Sequence, residues 1–231
     1  MNEAPLYLRI ADLLVEIDGW DDGLRAFRKF SVDPSALDAE PVPDLRVKYV
    51  PSVTEEPWLR LHRLLSEALI EKNVLLFHAS AVALDGEGYA FTAPSGTGKS
   101  THAALWKLYY GERLVFVNDD KPFLVFRDEE VFIAGSPWMG KHRRGENVTV
   151  PLRGIAFLNR DKENRLTGLS PVDGYMELMK QVFLPPTKEG MENVLALLER
   201  VVTKVPCYRL ACTPDRAAVE AASEMLRREG Q

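Results

Sequence analysis

Apolar and polar positions alternate from Tyr7 to Asp18, where Leu8, Ile10, Leu13, Val15 and Ile17 would share one face of an extended chain. Strand side chains point to opposite faces at period two, so the single slip at Ala11 and Asp12 predicts a strand with a bulge. The following stretch, Ser31 to Pro57, carries Pro34, Pro41, Pro43, Pro51 and Pro57 and little periodicity. Proline fixes φ and removes a donor, so extended connections around one further strand, Leu45 to Val50, are expected. A small N-terminal β-rich segment, residues 1–57, is taken to end there, and residues 58–231 to form the main domain.

The period then changes. Trp58, Leu61, Leu64, Leu65, Ala68 and Leu69 recur at spacings of three and four, which predicts an amphipathic helix with its apolar side on the main core. Two apolar runs follow, Val74 to Leu84 and Tyr89 to Ala93, separated by Asp85-Gly86-Glu87-Gly88, and read as a β-hairpin. Short apolar runs at Leu114 to Val117, Phe123 to Phe126, Val131 to Ala134 and Ile155 to Leu158 predict more strands, with Arg127-Asp128-Glu129 as one of the turns. From Pro171 the pattern becomes mainly helical. Helices are expected at Asp173 to Phe183, Met191 to Lys204 and Pro214 to Arg228, with a strand at Val205 to Leu210. The fold class is therefore α/β with a helical C-terminal part.

Composition narrows the classes. The 231 residues are 46% hydrophobic, enough for one main core and a small appended segment. Cys207 and Cys212 are the only cysteines, which points away from a disulfide framework or zinc site and towards a reducing cytoplasm. The N-terminus has no basic leader before an apolar run, and no apolar stretch is long enough for a bilayer, so neither secretion nor a membrane partner is expected. The net charge of -5 argues against general nucleic-acid binding.

Chemistry enters at Ala93-Pro94-Ser95-Gly96-Thr97-Gly98-Lys99-Ser100-Thr101, which has the spacing of a phosphate-binding P-loop and lies between a predicted strand and a helix. Glycines let such a loop curl its N–H groups towards phosphate, and the helix N-terminus adds its positive end. Residues Pro94 to Thr101 are thus the expected ATP cradle. Lys99 would meet the β and γ phosphates, and the hydroxyl of Ser100 would ligate Mg2+. Asp119 and Asp120 follow the run Leu114 to Val117. Two acids there can divide the work, one on the metal and one taking the proton of an attacking hydroxyl.

His78 lies in the apolar run Phe77-His78-Ala79-Ser80. Read alone, it fits a core imidazole satisfied by a hydrogen bond slightly better than a catalytic group. Gly135-Ser136-Pro137-Trp138-Met139-Gly140-Lys141-His142-Arg143-Arg144-Gly145 reads as a mobile basic loop. Its Lys141, Arg143 or Arg144 could reach the transferring phosphoryl group or an acidic acceptor.

Together these pieces resemble the HPr kinase/phosphatase family, which shares a P-loop fold with ATP-dependent phosphoenolpyruvate carboxykinase. The likeness covers about residues 74–160 and is carried by HASAVALDGEGYAFTAPSGTGKST and LVFVNDD. It implies that His78 pairs with Asp119 as the proton-handling centre, that Asp120 stands nearer the metal, and that GSPWMGK lies near the acceptor. Pro151-Leu152-Arg153-Gly154-Ile155-Ala156 is similar to the family's Glu-Ile-Arg-Gly-Leu-Gly signature, with Pro151 at the glutamate position. That departure counts against HPr as the substrate and against phosphatase activity. The size, the β-rich start and the GSPW-type loop resemble the HPr-kinase-like proteins found beside peptide-modification genes, some of which phosphorylate a serine hydroxyl of a small peptide.

The expected function is an ATP- and Mg2+-dependent kinase acting on the hydroxyl of a peptide or protein serine, or of a small-molecule alcohol. Its expected catalytic residues are His78, Lys99, Asp119, Lys141 and Arg143, with Ser100 and Asp120 on the metal. The other classes are a non-catalytic ATP sensor and an ATPase acting with an assembly partner. The sequence names neither the acceptor nor the oligomeric state.

Overall fold

The computed structural model describes residues 5–19, 27, 29–37 and 41–226. At the N-terminal end, β1 (Leu6–Ile10) and β2 (Leu13–Asp18) pair antiparallel with Ile10 opposite Leu13. The expected bulge is therefore a two-residue turn, with Ala11 at φ 51° and Asp12 at φ 65°. Two central residues with positive φ match the twist of the flanking strands. A bulge and a two-residue turn both shift the alternation by one, so the hydrophobic pattern alone does not separate them. A third strand, β3 (Leu45–Lys48), lies parallel to β2 and completes a small sheet, ending two residues earlier than expected.

Helix α1 (Pro57–Ile70) forms where the three-and-four spacing placed it. Its Leu61, Leu65 and Leu69 are fully buried in a cluster with Leu8, Ile10, Val15 and Ile17 of the small sheet. Val74, Leu76, Phe123 and Val125 belong to the same cluster. The helix thus fastens the small sheet to the main one, and each such leucine contributes about 1.5–3 kcal/mol by leaving water.

The main sheet holds β4 (Val74–Leu76), β5 (Ala79–Leu84), β6 (Glu87–Thr92), β7 (Leu114–Asn118), β8 (Phe123–Arg127), β9 (Glu130–Ala134), β10 (Thr149–Arg160), β11 (Arg165–Gly168) and β12 (Cys207–Cys212). Their order is β4-β8-β9-β10-β6-β5-β7, with β12 beside β10 and β11 beside β12. β10 runs parallel to both β6 and β12. The apolar run Val74 to Leu84 is two strands, not one. At the break, Phe77 donates its N–H to Pro122 (3.0 Å) and His78 donates to Gln181 (2.7 Å). The β5–β6 hairpin turns at Asp85 and Gly86 alone, both with positive φ.

Helices α2 (Lys99–Tyr110) and α5 (Arg216–Ala222) cover one face of the sheet. There Trp106 and Val219 join Val82, Leu84, Phe91 and Leu158. Helix α4 (Lys188–Lys204) covers the other, where Val194, Leu197 and Val201 meet Ala81, Ala83, Ile133 and Ile155. A strand buried on both faces needs no polar alternation, which is why β5 reads as a continuous apolar run.

Helix α3 (Pro171–Leu178) starts earlier than expected, because the Ser170 hydroxyl caps it by accepting from the Asp173 N–H at 3.1 Å, and it also stops sooner. Thr187 likewise caps α4, which begins three residues before its expected start. The strand expected at Val205 to Leu210 is β12, and β11 was not anticipated. The last helix gives way at Ser223–Leu226 to a short 3-10 turn, and its expected end at Arg228 lies outside the described residues. No helix among the described residues is long and apolar enough to cross a membrane.

Replacing Leu61 by Ala is expected to cost about 2–5 kcal/mol in urea unfolding, the range for a fully buried leucine. Leu59→Ala, on the exposed side of the same helix, should change stability by less than about 0.5 kcal/mol.

Candidate active site

The loop from Ala93 to Gly98 leaves the end of β6 and enters α2. Gly96 (φ 79°) and Gly98 (φ 126°) hold backbone conformations that side chains disfavour, although a Cβ at either would meet nothing within 4 Å. Glycine is needed here for conformation, not for room. No side chain caps α2 at Gly98, and the N–H of His102 makes the first helical bond at 2.9 Å. The preceding N–H groups form the positive end of the helix.

Lys99 is 7% exposed and folds back onto its own loop, its Nζ donating to the carbonyl of Ala93 at 2.9 Å and of Pro94 at 3.5 Å. Burial pulls its pKa below the ordinary lysine value, and the carboxylate of Asp120 pulls against that. Ser100 donates its hydroxyl to the backbone carbonyl of Asp119 at 3.5 Å.

The two aspartates face different surroundings. Asp119 is buried, and its Oδ1 accepts the hydroxyl of Ser80 at 2.7 Å. Asp120 is 36% exposed, with Oδ1 3.7 Å from Nε2 of His78. The turn that separates them is set by Asn118, whose Oδ1 accepts the N–H groups of Asp120 (2.9 Å) and Lys121 (2.7 Å). The resemblance paired His78 with Asp119, whereas the structure brings His78 to Asp120 and gives Asp119 to Ser80.

His78 sits at the break between β4 and β5, and its carbonyl accepts the hydroxyl of Thr92 at 2.8 Å. Burial lowers its pKa to about 4, helped by the charges of Lys121 and Lys99 and opposed by Asp120 and a bond with Gln181. The ring is therefore neutral at pH 7, and its approach to Asp120 is not an ion pair.

His78, Lys99, Ser100, Asp119, Asp120 and Lys141 all line one cleft of about 460 Å³, with Ser95, Gly96, Gly98 and Thr101 on its loop side. Six residues scattered over 64 positions of the chain meet there. Arg143 does not line the cleft; it is exposed, with φ 50°. Arg144 lies over the ring of Phe116, 5.4 Å from its centroid. The segment read as a mobile loop is anchored at Trp138 and at Arg144, on either side of exposed residues 141–143. Trp138 is buried against Phe27, His62 and Phe123, and the carbonyl of Arg144 accepts the N–H of Asp119 at 3.0 Å. Arg153 stands 3.4 Å from Glu87, and neither it nor Pro151 lines the cleft.

No family model matches the sequence, and no curated protein matches it. Among solved structures the chain is similar to the Hpr(Ser) kinase/phosphatase from Coxiella burnetii, at 13% identity and a TM-score of 0.38, covering 65% of this chain and 87% of that one. This is a distant structural relationship, and no residue role is taken from it.

Four residues at the site escaped the sequence reading. Ser80 holds Asp119, Asn118 shapes the turn, and His142 lines the cleft. Lys121, half-buried, acts electrostatically on His62, His78 and Lys99. Ser80 was within reach of sequence reasoning, since it lies two positions from His78 in an extended run. So was Lys121, a cation beside two acids.

The His78 ring resonances should titrate with a midpoint near 4, and Asp120→Asn should lower that midpoint by removing the carboxylate's pull. The unfolded chain, with its histidine near 6.5, takes up a proton that folded His78 refuses. Stability present above pH 6.5 is therefore lost as pH falls towards 4. His62 and His102, also held near 4, add to the same fall, which melting curves across that window would record.

Proposed function

We propose that this protein is a kinase that moves the γ-phosphoryl group of ATP to a hydroxyl acceptor. The observation that carries the reading is the convergence of a glycine-rich loop, its lysine, two aspartates and a neutral histidine on one cleft. The triphosphate would lie along the N–H groups of the loop and the start of α2. Lys99, now on the Ala93 carbonyl, would turn to the β and γ phosphates and offset the charge of transfer.

The two acids take the reverse of the roles the resemblance implied. Asp120, open to the cleft and beside His78, takes the proton as the acceptor oxygen bonds to the γ phosphorus and the bond to ADP breaks. His78 stays uncharged with Nε2 3.7 Å from that carboxylate, a positioning neighbour and not the proton's destination. Asp119, whose carbonyl already meets the Ser100 hydroxyl, belongs with Ser100 on the metal side.

Among the described residues no group of three His, Cys, Asp or Glu could hold a metal by itself. That suits Mg2+, which takes one or two protein oxygens and fills its shell with phosphate and water. Ser100 and Asp119 would supply those oxygens, and the ion would neutralise phosphate charge. Lys141 and His142 line the same cleft, where an acceptor has to approach. A serine of a peptide or protein, or a small alcohol, fits the chemistry.

Mass spectrometry of serine-ended peptides, free serine, sugars and polyols incubated with the protein, ATP and Mg2+ tests the proposal. One added phosphate on any of them is the expected result. Phosphate release without an acceptor would indicate an ATPase, and bound ATP without turnover a sensor. Lys99→Ala should lose ATP binding or turnover. Asp120→Asn should keep ATP binding and lower transfer about 10²–10⁴-fold, whereas a fully active Asp120→Asn variant would remove Asp120 as the base.

A further inference from the structure

A second cavity, of about 420 Å³, opens between α2, the end of β10 and the connection from β12 to α5. It shares Gly98 and Thr101 with the cleft of His78 and Asp120, so the two are neighbours across the first turn of α2. The new cavity has apolar walls at Leu105, Leu158 and Pro214, with Asp161 and Thr213 as polar groups. None of these residues has a part in the chemistry proposed above.

One side chain ties this cavity to the glycine-rich loop, and a second gives it a polar donor. Arg160, which also lines it, donates Nε–H to the carbonyl of Thr97 at 3.1 Å and a terminal N–H to the carbonyl of Gly96. The Thr97 N–H meets the Pro94 carbonyl at 3.3 Å, and with the Gly96 and Thr97 carbonyls held by Arg160 the loop's other N–H groups are the ones left for an anion. His102 lines the cavity too, and its Nε2 accepts the indole N–H of Trp106 at 3.0 Å. Burial keeps the ring neutral, so its one proton sits on Nδ1 and makes that nitrogen a donor.

A nucleotide is long and has direction. If its γ phosphate lies beside Asp120 and Lys141, its phosphate chain runs along Gly96 to Lys99, and its nucleoside emerges on the other side of Gly98. We propose that the cavity of Leu105, Leu158 and Pro214 holds the base and ribose of the nucleotide whose phosphates occupy the glycine-rich loop. Apolar walls suit the flat base, and Asp161, whose Oδ1 accepts the Lys162 N–H at 2.6 Å, has its second carboxylate oxygen to offer a ribose hydroxyl. The assignment rests on the ATP reading of the cleft, but it can fail while that reading stands.

Calorimetric titration of the full chain with ATP and with inorganic tripolyphosphate separates the two. Leu105→Trp and Asn159→Trp, which fill the cavity from α2 and from β10, should weaken ATP about tenfold or more and leave tripolyphosphate within about twofold. Lys99→Ala should weaken both ligands. If both tryptophan variants bind ATP as the parent does while Lys99→Ala loses both ligands, the nucleoside assignment falls and the phosphate cradle survives. If the parent binds neither ligand, the ATP reading fails and takes this one with it. Photolabelling of the unmodified chain with 8-azido-ATP needs no variant. Label on α2 near Leu105, on residues 158–161 or on residues 212–214 is expected, and label confined elsewhere would overturn the assignment.

Discussion

The candidate site depends on the amide of one fully buried asparagine. Asn118 closes β7 and directs the chain through Asp119 and Asp120 by accepting two consecutive N–H groups of that turn. Its Nδ2 donates to the carbonyl and the hydroxyl of Ser136 at 3.0 and 3.1 Å, which ties the acids to the segment carrying Lys141. A buried amide with its donors and acceptor engaged holds one geometry, because each bond it gave up would leave a polar group unsatisfied at about 1–3 kcal/mol. Two adjacent carboxylates would otherwise be free to turn alike. Here one is turned inward to Ser80 and the other outward to the cleft.

That division sets the electrostatics. Lys99 and Lys121 are both held below ordinary lysine values by burial, and Asp120 is the first influence opposing the loss in each. His78, in the same surroundings, stays neutral. Lys99, which lines the cleft, has thus given up much of its water while the Asp120 carboxylate faces it. An arriving triphosphate would restore what burial removed, which is the sense in which such a site prefers an anion.

Much of this was legible in the sequence, and the misses have physical reasons. The glycines of the loop are local demands of backbone conformation, and local demands are written in local sequence. Helix α1 was legible for the same reason, its period being a property of a single segment. The choice between bulge and turn at Ala11 and Asp12 was not, since both shift the alternation equally. The break at Phe77 and His78 was hidden because the strands on either side of it are both buried. Which aspartate meets His78 depends on hydrogen bonds between Asn118, Ser80 and a backbone turn, and spacing does not encode their directions. Arg143 read as one cation among several, but its side chain is exposed outside the cleft, while Lys141, two residues earlier, lines it.

The small N-terminal sheet bears on the site through packing. The proline-rich stretch suggested a boundary at residue 57, yet the apolar cluster that holds Leu8, Ile17 and Val47 also holds Leu61, Phe123 and Trp138. Trp138 meets Phe27 and His62 edge to face, and Lys29 donates to Glu146 at 2.8 Å. The segment bearing Lys141 is therefore footed in the N-terminal residues on one side and bonded to the aspartate turn on the other. A lysine whose backbone segment is anchored on both sides loses less backbone freedom when it meets a charged group than one on a free loop, so less of the contact is spent on ordering the chain. By this argument the N-terminal segment contributes to the Lys141 side of the cleft without lining it.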